Sequence, residues 1–377
     1  MYLEKLQLSK YRNYDLLNQK FTAQVNIIIG LNAQGKTNLL EAVYYLSGAK
    51  TYRAAHDQQL KKWEAHYFIV KGVLRNRIGI KDIEIRFRDD IPAGKEIRIN
   101  GVKIKKGSDL LGQLTVVLFA PEDLTVIKGS PAERRRLLDY DISQVSPSYY
   151  GKLQKYNRLL TQRNHLLKKM WVRGHGQEEL EIWNEQYLQV SEEIIVKRIQ
   201  VLEKLSPLTR LMQRKLTGGQ ESLEIKYLLN RQHEIKKTEE IREILLLELE
   251  RTKKEEIRRG LSLWGPHRDD LIFSINGTDL KLYGSQGQHR TAVLAIKLAE
   301  LEFFKVESGE YPILLLDDVL SELDQERRDQ LIATIREKVI QCFITTTEDI
   351  TFAKDEKTTV QKYYINKGTI RDLESEA

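Results

Sequence analysis

One glycine-rich segment has the residue types and spacing needed to hold a nucleotide. It reads Gly30-Leu31-Asn32-Ala33-Gln34-Gly35-Lys36-Thr37. Two glycines separated by four residues and followed by Lys and Thr form a loop whose backbone N–H groups surround phosphates. Lys36 would reach the β- and γ-phosphates of ATP, the Thr37 hydroxyl would hold Mg²⁺, and Asn38 would continue the site into the following helix. The positive end of that helix would add to the attraction for phosphate.

A second candidate group is the acidic pair Asp317 and Asp318. It follows the apolar run 313–316, which predicts a buried strand. In an open parallel sheet the carboxyl end of this strand would lie beside the glycine-rich loop. Asp317 is then placed to bind Mg²⁺ directly or through water, and Asp318 is predicted to act as a general base or to position the attacking water.

Two further motifs resemble those of ABC-type ATPases. Ser285-Gln286-Gly287-Gln288 begins a predicted helix and is similar to the signature motif, while Ser321-Glu322-Leu323-Asp324 is similar to the D-loop. A helix N-terminus with a Ser hydroxyl and a Gly N–H can bind an anion. The resemblance implies that Ser285, Gly287, Gln288 and Asp324 act on the nucleotide held by the opposite protomer. A plain helix cap is the alternative for the serine motif.

Strand and hairpin patterns indicate the framework that positions these motifs. Buried strands are predicted at 25–29, 115–119, 312–316 and 341–346, and further strands at 2–14, 68–74, 78–87 and 97–104. Asn100-Gly101 and Asn276-Gly277 are two-residue hairpin signals, the second between strands at 270–275 and 279–282. Ser130, Pro131 and Glu133 mark the start of a helix with a capping box. We expect an α/β core with a flanking antiparallel sheet.

A helical region divides this core in the sequence. Long helical patterns dominate 148–259 and are interrupted at Gly174 and at Gly218-Gly219. They predict an α-helical lid with a short helix pair, inserted between the two halves of a head at 1–147 and 260–377.

Composition narrows the class of protein. The formal net charge of +7 suits an anionic partner. The single cysteine, Cys342, cannot form an internal disulfide, and the sequence has no Cys/His cluster, so we expect a reducing cytoplasm. The N-terminus lacks the apolar segment of a signal peptide, and no apolar run approaches the length of a membrane span. We therefore expect a soluble protein without a membrane partner.

A basic stretch within the helical region predicts contact with DNA. Residues 142–177 contain no Asp or Glu. The predicted phosphate contacts are Lys152, Lys155, Arg158, Arg163, Lys168 and Lys169. Such contacts would be insensitive to base sequence and sensitive to salt. The alternative is a solvated basic face balanced by the acidic residues of 178–193.

Taken together, the motifs resemble the RecF recombination-mediator family. The resemblance is carried by residues 119–124, 128–139, 265–271 and 285–288, and it extends over essentially the whole chain. It implies a head of the ABC-ATPase type and a weak, Mg²⁺- and DNA-dependent ATPase of bacterial DNA repair and replication. ATP would drive head-to-tail homodimerisation and clamping of single-stranded, gapped and duplex DNA. With other recombination mediators the protein would support recombinase loading at gaps and the SOS response.

The resemblance also implies a role for one N-terminal residue. Arg12 matches the arginine that reaches the nucleotide phosphates in this superfamily, with a solvated surface arginine as the alternative. No mechanism follows for the element 265–271, and the Q-loop residue is open between Gln113 and Glu122.

Two departures from the ABC pattern favour slow hydrolysis. Asp318 stands where many ABC ATPases have Glu, and residues 345–347 are all Thr where transporters have a switch His. ATP would then serve mainly to hold the dimer together, and less to drive movement through its hydrolysis. The alternatives are a transporter-type ATPase subunit and a nucleotide-sensing scaffold without useful turnover.

Overall fold

The computed structural model describes residues 1–54, 56–90, 94–235, 237–349 and 358–373. The chain folds into two compact units, Met1–Asp123 with Ile296–Ala377, and Leu124–Ala295. The second unit begins before residue 148 and ends after residue 259, so it is longer than the predicted lid. The boundary of a functional lid at 148 and 259 stays a prediction.

The elements are numbered in chain order. Strands β1 to β16 are Tyr2–Tyr11, Tyr14–Lys20, Val25–Ile29, Tyr67–Asn76, Gly79–Arg88, Lys95–Ile99, Val102–Lys103, Val116–Phe119, Leu223–Leu229, His233–Glu234, Asp270–Ile275, Thr278–Asp279, Ile313–Asp317, Cys342–Thr346, Val360–Asn366 and Thr369–Leu373. Helices α1 to α9 are Lys36–Gly48, Thr125–Lys128, Pro131–Val145, Pro147–Arg173, Gln177–Leu216, Ile241–Arg259, Leu280–Tyr283, Gln286–Ser308 and Gln325–Glu337.

The first unit is organised around a mixed sheet in the order β16-β15-β3-β14-β13-β8. All neighbours from β15 to β8 run parallel, and every residue of β3, β13 and β14 is buried. Strands buried on both faces need continuous apolar sequence, which is why the short apolar runs were recognisable. The predicted parallel core is confirmed, whereas β15 and β16 were not predicted.

A second sheet of this unit is antiparallel, in the order β2-β1-β4-β5-β6-β7. The predicted strand at 2–14 was wrong in extent, because the chain reverses after Tyr11 and pairs it with Tyr14. Arg12 takes a φ of 51° in this turn. The hairpin predicted at Asn100-Gly101 is confirmed, with φ values of 51° and 78°.

The second unit contains the long helix pair α4 and α5, joined through Gly174 and Gly176. α4 has 27 residues and α5 has 40. Near this junction, Leu166, Leu167, Met170 and Leu180 form a buried apolar cluster. The predicted helix pair is confirmed. Within the described ranges, no helix combines the length and the apolar character needed to cross a bilayer.

The sheet of the second unit runs β10-β9-β11-β12. The strand predicted at 279–282 was wrong, because β12 ends at Asp279 and α7 begins with the next residue. The Asp279 carboxylate accepts a hydrogen bond from the Leu282 backbone N–H at 3.0 Å and thereby caps the helix.

The element 265–271, for which no mechanism follows from the sequence, lies inside the second unit. Gly265 has a φ of 112°, and a Cβ there would lie 2.6 Å from the Tyr187 hydroxyl. His267 Nδ1 lies 2.6 Å from the Tyr156 hydroxyl. Asp270 forms a buried two-point ion pair with Arg134, with distances of 2.7 and 3.0 Å. These contacts give the element a structural role within its own unit.

Candidate nucleotide-binding site

The glycine-rich loop connects β3 to α1 in the first unit. The Lys36 Nζ folds back over the loop and donates to the backbone oxygens of Gly30 at 2.7 Å and Leu31 at 3.1 Å. Gly35 has a φ of 116°, and a Cβ there would lie 2.5 Å from the Asn13 amide. A Cβ on Gly30 would lie 2.6 Å from the Ile365 carbonyl oxygen. Both glycines are therefore required by space, and Gly35 also by its backbone conformation.

The other predicted loop residues differ in their surroundings. Leu31, Asn32 and Ala33 are exposed, Gln34 and Asn38 are half-buried, and Thr37 is half-buried at the start of α1. Exposed residues at the turn leave their backbone accessible to a ligand, whereas Thr37 faces the acidic pair. This is the loop geometry that the sequence predicted.

Thr37 and Asp317, the two predicted Mg²⁺ ligands, lie together. The Thr37 hydroxyl donates to Asp317 Oδ1 at 2.9 Å. Within the described ranges, no group of three or more His, Cys, Asp or Glu side chains could hold a metal. A hydroxyl and one carboxylate fit Mg²⁺ when phosphate oxygens and water complete its six ligands, and they do not fit a metal held by protein alone.

The charges of this site act on one another. Burial lowers the pKa of the Lys36 ammonium, and the neighbouring Asp318 and Asp317 charges oppose that shift. Burial also raises the pKa of the Asp318 carboxyl, with Lys36 opposing and Asp317 reinforcing the shift. The ammonium and the two carboxylates are thus close enough to shift one another's pKa values.

Asp318 has an unusual backbone conformation, with a φ of 55°. Its backbone N–H donates to the Thr345 hydroxyl at 2.9 Å, and its carbonyl oxygen accepts from the Ser321 hydroxyl at 2.7 Å. Non-glycine residues rarely adopt this conformation, and where they do, the cause is often functional.

Arg12 is held by a buried partner instead of lying free on the surface. Its guanidinium forms two hydrogen bonds with the Glu41 carboxylate, at 2.8 and 2.9 Å, and donates to the Gln59 carbonyl at 3.0 Å. The Glu41 side chain is completely buried on α1. The solvated-surface alternative is therefore wrong, and the phosphate contact stays a prediction.

The loop is supported by residues that sequence reasoning missed. The Asn13 side chain donates to the Gln34 carbonyl at 2.8 Å and accepts from the Asn38 side chain at 2.9 Å. Gly368, in the β15–β16 turn, donates its N–H to the same Gln34 carbonyl at 3.0 Å. Asn13 was detectable as the neighbour of Arg12, whereas the contact from Gly368 is too distant in sequence for any local signal.

The signature-like and D-loop-like residues all lie at helix starts. In the second unit, the Ser285 hydroxyl accepts from the Gln288 N–H at 3.2 Å, and the Gln288 side chain accepts from the Ser285 N–H at 2.9 Å. Gly287 is exposed. In the first unit, Asp324 caps α9 by accepting from the Arg327 N–H at 2.9 Å. Both motifs serve as helix caps, and their action on a second protomer stays a prediction.

The basic residues of α4 fall into three groups. Lys155, Arg158, Lys168 and Lys169 are exposed and form no ion pair with any residue that the structure describes. Lys152 is half-buried and pairs with Glu193 at 2.9 Å. The prediction that Arg163 contacts DNA was wrong, because its side chain is only 1% exposed and pairs with the buried Glu256 at 2.5 Å.

The chain is similar to known proteins over almost its whole length. The model described as "RecF/RecN/SMC N terminal domain" matches residues 2–371. A protein of Alkaliphilus oremlandii (strain OhILAs), named DNA replication and repair protein RecF, is 45% identical over 380 residues, covering 98% of this chain and all of that protein. This chain belongs to the RecF family. The RecF of Lysinibacillus sphaericus (strain C3-41) is 41% identical, covering 98% of this chain and 99% of that protein.

Solved structures confirm the predicted ABC-ATPase head fold for this RecF family member. A structure described as the recombination mediator protein RecF with ATP in the RecFOR pathway superimposes with a TM-score of 0.90 at 37% identity, covering 99% of this chain and 97% of that one. The Smc head domain derived from Pyrococcus furiosus has a TM-score of 0.56 at 19% identity, covering 99% and 96% of the two chains, and shows the shared fold alone.

Proposed function

We propose that this protein is an ATP-dependent DNA-binding recombination mediator of DNA repair and replication. The observation that carries the proposal is the hydrogen bond of 2.9 Å between Thr37 and Asp317, which joins the phosphate loop to the acidic strand end. The relatives named DNA replication and repair protein RecF, and the RecF structure with ATP, support the same reading. The chain would act in the cytoplasm on DNA.

ATP would bind with its phosphates inside the glycine-rich loop. The loop N–H groups and the dipole of α1 would bind the phosphate oxygens, and Lys36 would leave the Gly30 carbonyl for the β- and γ-phosphates. Thr37 and Asp317 would hold Mg²⁺, which when bound neutralises charge on the phosphates. Asp318 would orient the attacking water and accept its proton while the bond between the γ-phosphorus and the bridging oxygen breaks.

Dimerisation would follow from the two exposed helix starts. Ser285 and Gly287 offer a hydroxyl and an N–H at the beginning of α8, a helix of 23 residues. In a head-to-tail homodimer they and Gln288 and Asp324 would reach the ATP of the partner. Because the Asp318 side chain is one methylene shorter than Glu, turnover would be weak, and hydrolysis would serve to open the clamp.

DNA would lie along the exposed basic side of α4. Lys155, Arg158 and Lys169 are separated by three and eleven residues, so they fall within an arc of about 60° on the helix. A same-sign stripe of this kind binds phosphates without regard to base sequence. Clamped on gapped, single-stranded or duplex DNA, the dimer would act with other recombination mediators in recombinase loading and the SOS response.

Sedimentation with and without ATP, Mg²⁺ and duplex DNA tests the proposal. We expect wild type and the control K20M, which alters an exposed lysine of β2, to form dimers that carry DNA only with ATP. K36M should stay monomeric. DNA binding by the monomer without nucleotide would refute the coupling between ATP, dimerisation and DNA.

The variant D318N separates clamping from turnover. It keeps the size of the side chain and removes its basicity, so we expect ATP-bound dimers to accumulate on DNA while phosphate release stops. Unchanged repair in cells carrying D318N would instead favour a nucleotide-sensing scaffold whose turnover has no use.

A further inference from the structure

Thr345 contacts both acidic residues of the candidate site. It lies on β14 directly opposite Asp317 in the parallel pairing with β13. Its hydroxyl donates to Asp317 Oδ1 at 2.8 Å and accepts from the backbone N–H of Asp318 at 2.9 Å. Its side chain is buried. One hydroxyl therefore joins the predicted metal ligand to the predicted general base.

We propose that Thr345 is a positioning residue for Asp317 and Asp318 in ATP hydrolysis. This inference rests on the proposed function, because it presumes that Asp317 holds Mg²⁺ and that Asp318 orients water. Thr345 would not contact ATP. It would fix the direction of the Asp317 carboxylate and the backbone conformation of Asp318.

The direction of the hydrogen bonds supports this assignment. The Thr345 oxygen accepts the Asp318 N–H, and its single proton is available for one acceptor. The Asp317 carboxylate, at 2.8 Å, is nearer than the Leu316 carbonyl, at 3.4 Å. Successive bonds of the same direction polarise one another, so each acid restrains the other through the hydroxyl.

Among the described residues, one other side-chain donor outside the loop contacts Asp317, and it is more distant than Thr345. The Tyr52 hydroxyl reaches Asp317 Oδ2 at 3.3 Å, which is a longer and weaker contact. Thr37 shares Oδ1 with Thr345 at 2.9 Å, but its oxygen must also serve the metal. Thr345 is thus the donor that can keep the carboxylate aimed at Thr37 when Mg²⁺ binds.

Asp318 depends on Thr345 for its backbone. A φ of 55° is unfavourable for a residue with a Cβ, and the conformation persists only when neighbours fix it. The bond from the Asp318 N–H to Thr345 is such a restraint. Without the hydroxyl, the backbone of Asp318 would be less restrained, so the direction of its carboxylate would no longer be fixed.

The alternative is that Thr345 only satisfies a buried N–H and contributes to folding. The variants T345V and T345S distinguish the two roles. Valine keeps the β-branched shape but removes the hydroxyl, and serine keeps the hydroxyl. T346V is the matched control, because Thr346 is the next residue of β14 and its hydroxyl bonds, among the residues that the structure describes, only the Glu348 backbone, at 3.1 Å.

The test measures nucleotide affinity by calorimetry, with Mg²⁺ and with chelator, beside ATP turnover and thermal unfolding. We expect T345V to bind ATP normally in chelator, to lose about 10- to 100-fold of the Mg²⁺-dependent gain in affinity, and to lose turnover by a similar factor. T345S should recover most of both, and T346V should match wild type.

The outcomes separate this inference from the proposed function. If wild type gains no affinity from Mg²⁺ and has no turnover, the proposed function fails. If wild type shows both and T345V is equal to it, the positioning role is refuted. The role is also refuted if T345V loses thermal stability alone, or if T345S fails to restore the Mg²⁺ dependence.

Discussion

The Arg12 guanidinium and the Glu41 carboxylate form a two-point ion pair, with N–O distances of 2.8 and 2.9 Å. Glu41 is completely buried on α1, the helix that begins with Lys36, whereas the Arg12 side chain is 21% exposed. The pair ties the turn after β1 to the helix of the phosphate loop. Arg12 thus has a partner within its own protomer and an edge open to solvent.

Removing only the arginine should destabilise the protein more than removing both charges. In R12A the Glu41 carboxylate would stay buried without its partner, which costs about 3–5 kcal/mol of unfolding free energy. The double variant R12A/E41Q should recover most of that loss. Urea denaturation of the two single variants and the double variant gives the coupling energy.

Nucleotide affinity provides the complementary measurement for Arg12. If Arg12 also reaches phosphate, R12A/E41Q should bind ATP weakly although its stability is restored. K20M, which alters an exposed lysine of β2, is the control. Wild-type ATP affinity in the stable double variant would show that Arg12 has a structural role only.

The exposed stripe of α4 should determine the salt dependence of DNA binding. In K155Q/R158Q/K169Q three phosphate contacts are lost, so the slope of log affinity against log salt for duplex DNA should fall by about 2.7. Fluorescence anisotropy with ATP at several salt concentrations measures it. R210Q/R214Q/K215Q on α5 removes the same charge, and an equal effect there would mean that binding follows net charge alone.

Arg163 should behave in the opposite way. It lies on the same helix but is enclosed by Glu256, Asn184 and Ser262. R163M should therefore lower the unfolding free energy by about 3 kcal/mol or more, because Glu256 would lose its partner. DNA affinity measured on the folded fraction should not change. A reduced salt slope for R163M without loss of stability would show that Arg163 does contact DNA.

The comparison of Arg163 with Lys155 shows where sequence reasoning reached its limit. Charge and helical periodicity indicated a basic helix, but Arg163 and Lys155 look alike until the acidic partner is known. Glu256 is more than ninety residues away and belongs to α6. A buried ion pair of this kind has no local signature, so only the tertiary structure separates a core arginine from an exposed lysine.

The candidate site also contains residues that a local sequence pattern reveals and residues that only the tertiary structure reveals. Gly30 to Thr37, Asp317 and Asp318 could be predicted because the chemistry requires those residue types in a recognisable local pattern. Asn13 was not predicted, and Thr345 was noted only as a departure from the switch His, because a single amide or hydroxyl becomes informative only beside its partner. The β15–β16 hairpin was missed as well, since its alternation of apolar and polar residues is weak.

His267 and Asp269 should have opposite effects on the pH dependence of stability. Burial lowers the pKa of His267 from 6.5 to about 4, so below pH 6.5 the unfolded chain binds a proton that the folded chain does not. Burial raises the pKa of Asp269 from 3.8 to about 6, so between these values the folded chain binds the additional proton. His267 therefore makes the unfolding free energy rise with pH, and Asp269 makes it fall. From about pH 4 to 6 these two contributions cancel.

Single variants should reveal how His267 and Asp269 each change the dependence of the unfolding free energy on pH. Relative to wild type, the unfolding free energy of D269N should rise with pH from 4 to 6, by up to about 1.4 kcal/mol per unit, because the opposing contribution of Asp269 is gone. In H267Q it should fall relative to wild type over the same range. The double variant should have the slope of wild type. Urea denaturation at half-unit pH steps measures this, and identical slopes in D269N and wild type would contradict it.

Asn13 should support nucleotide binding without touching the nucleotide. N13A removes the amide that bonds the Gln34 carbonyl and the Asn38 side chain, and it opens space beside Gly35. Losing a hydrogen bond that pre-organises the loop costs about 1.4 kcal/mol, or about tenfold in ATP affinity. Calorimetry with ATP and Mg²⁺ measures the loss, with N18A on the exposed side of β2 as the matched control.

G35A should set an upper limit for the loss of ATP affinity that a change in this loop causes. Its Cβ would meet the Asn13 amide, and its φ of 116° is unfavourable for alanine, so ATP binding should fall further than in N13A. In N13A/G35A the steric contact is gone, but the backbone strain remains, so affinity should stay below that of N13A. If N13A binds ATP as tightly as N18A, the loop holds its shape without Asn13. The contacts to Gln34 from the β15–β16 turn would then suffice.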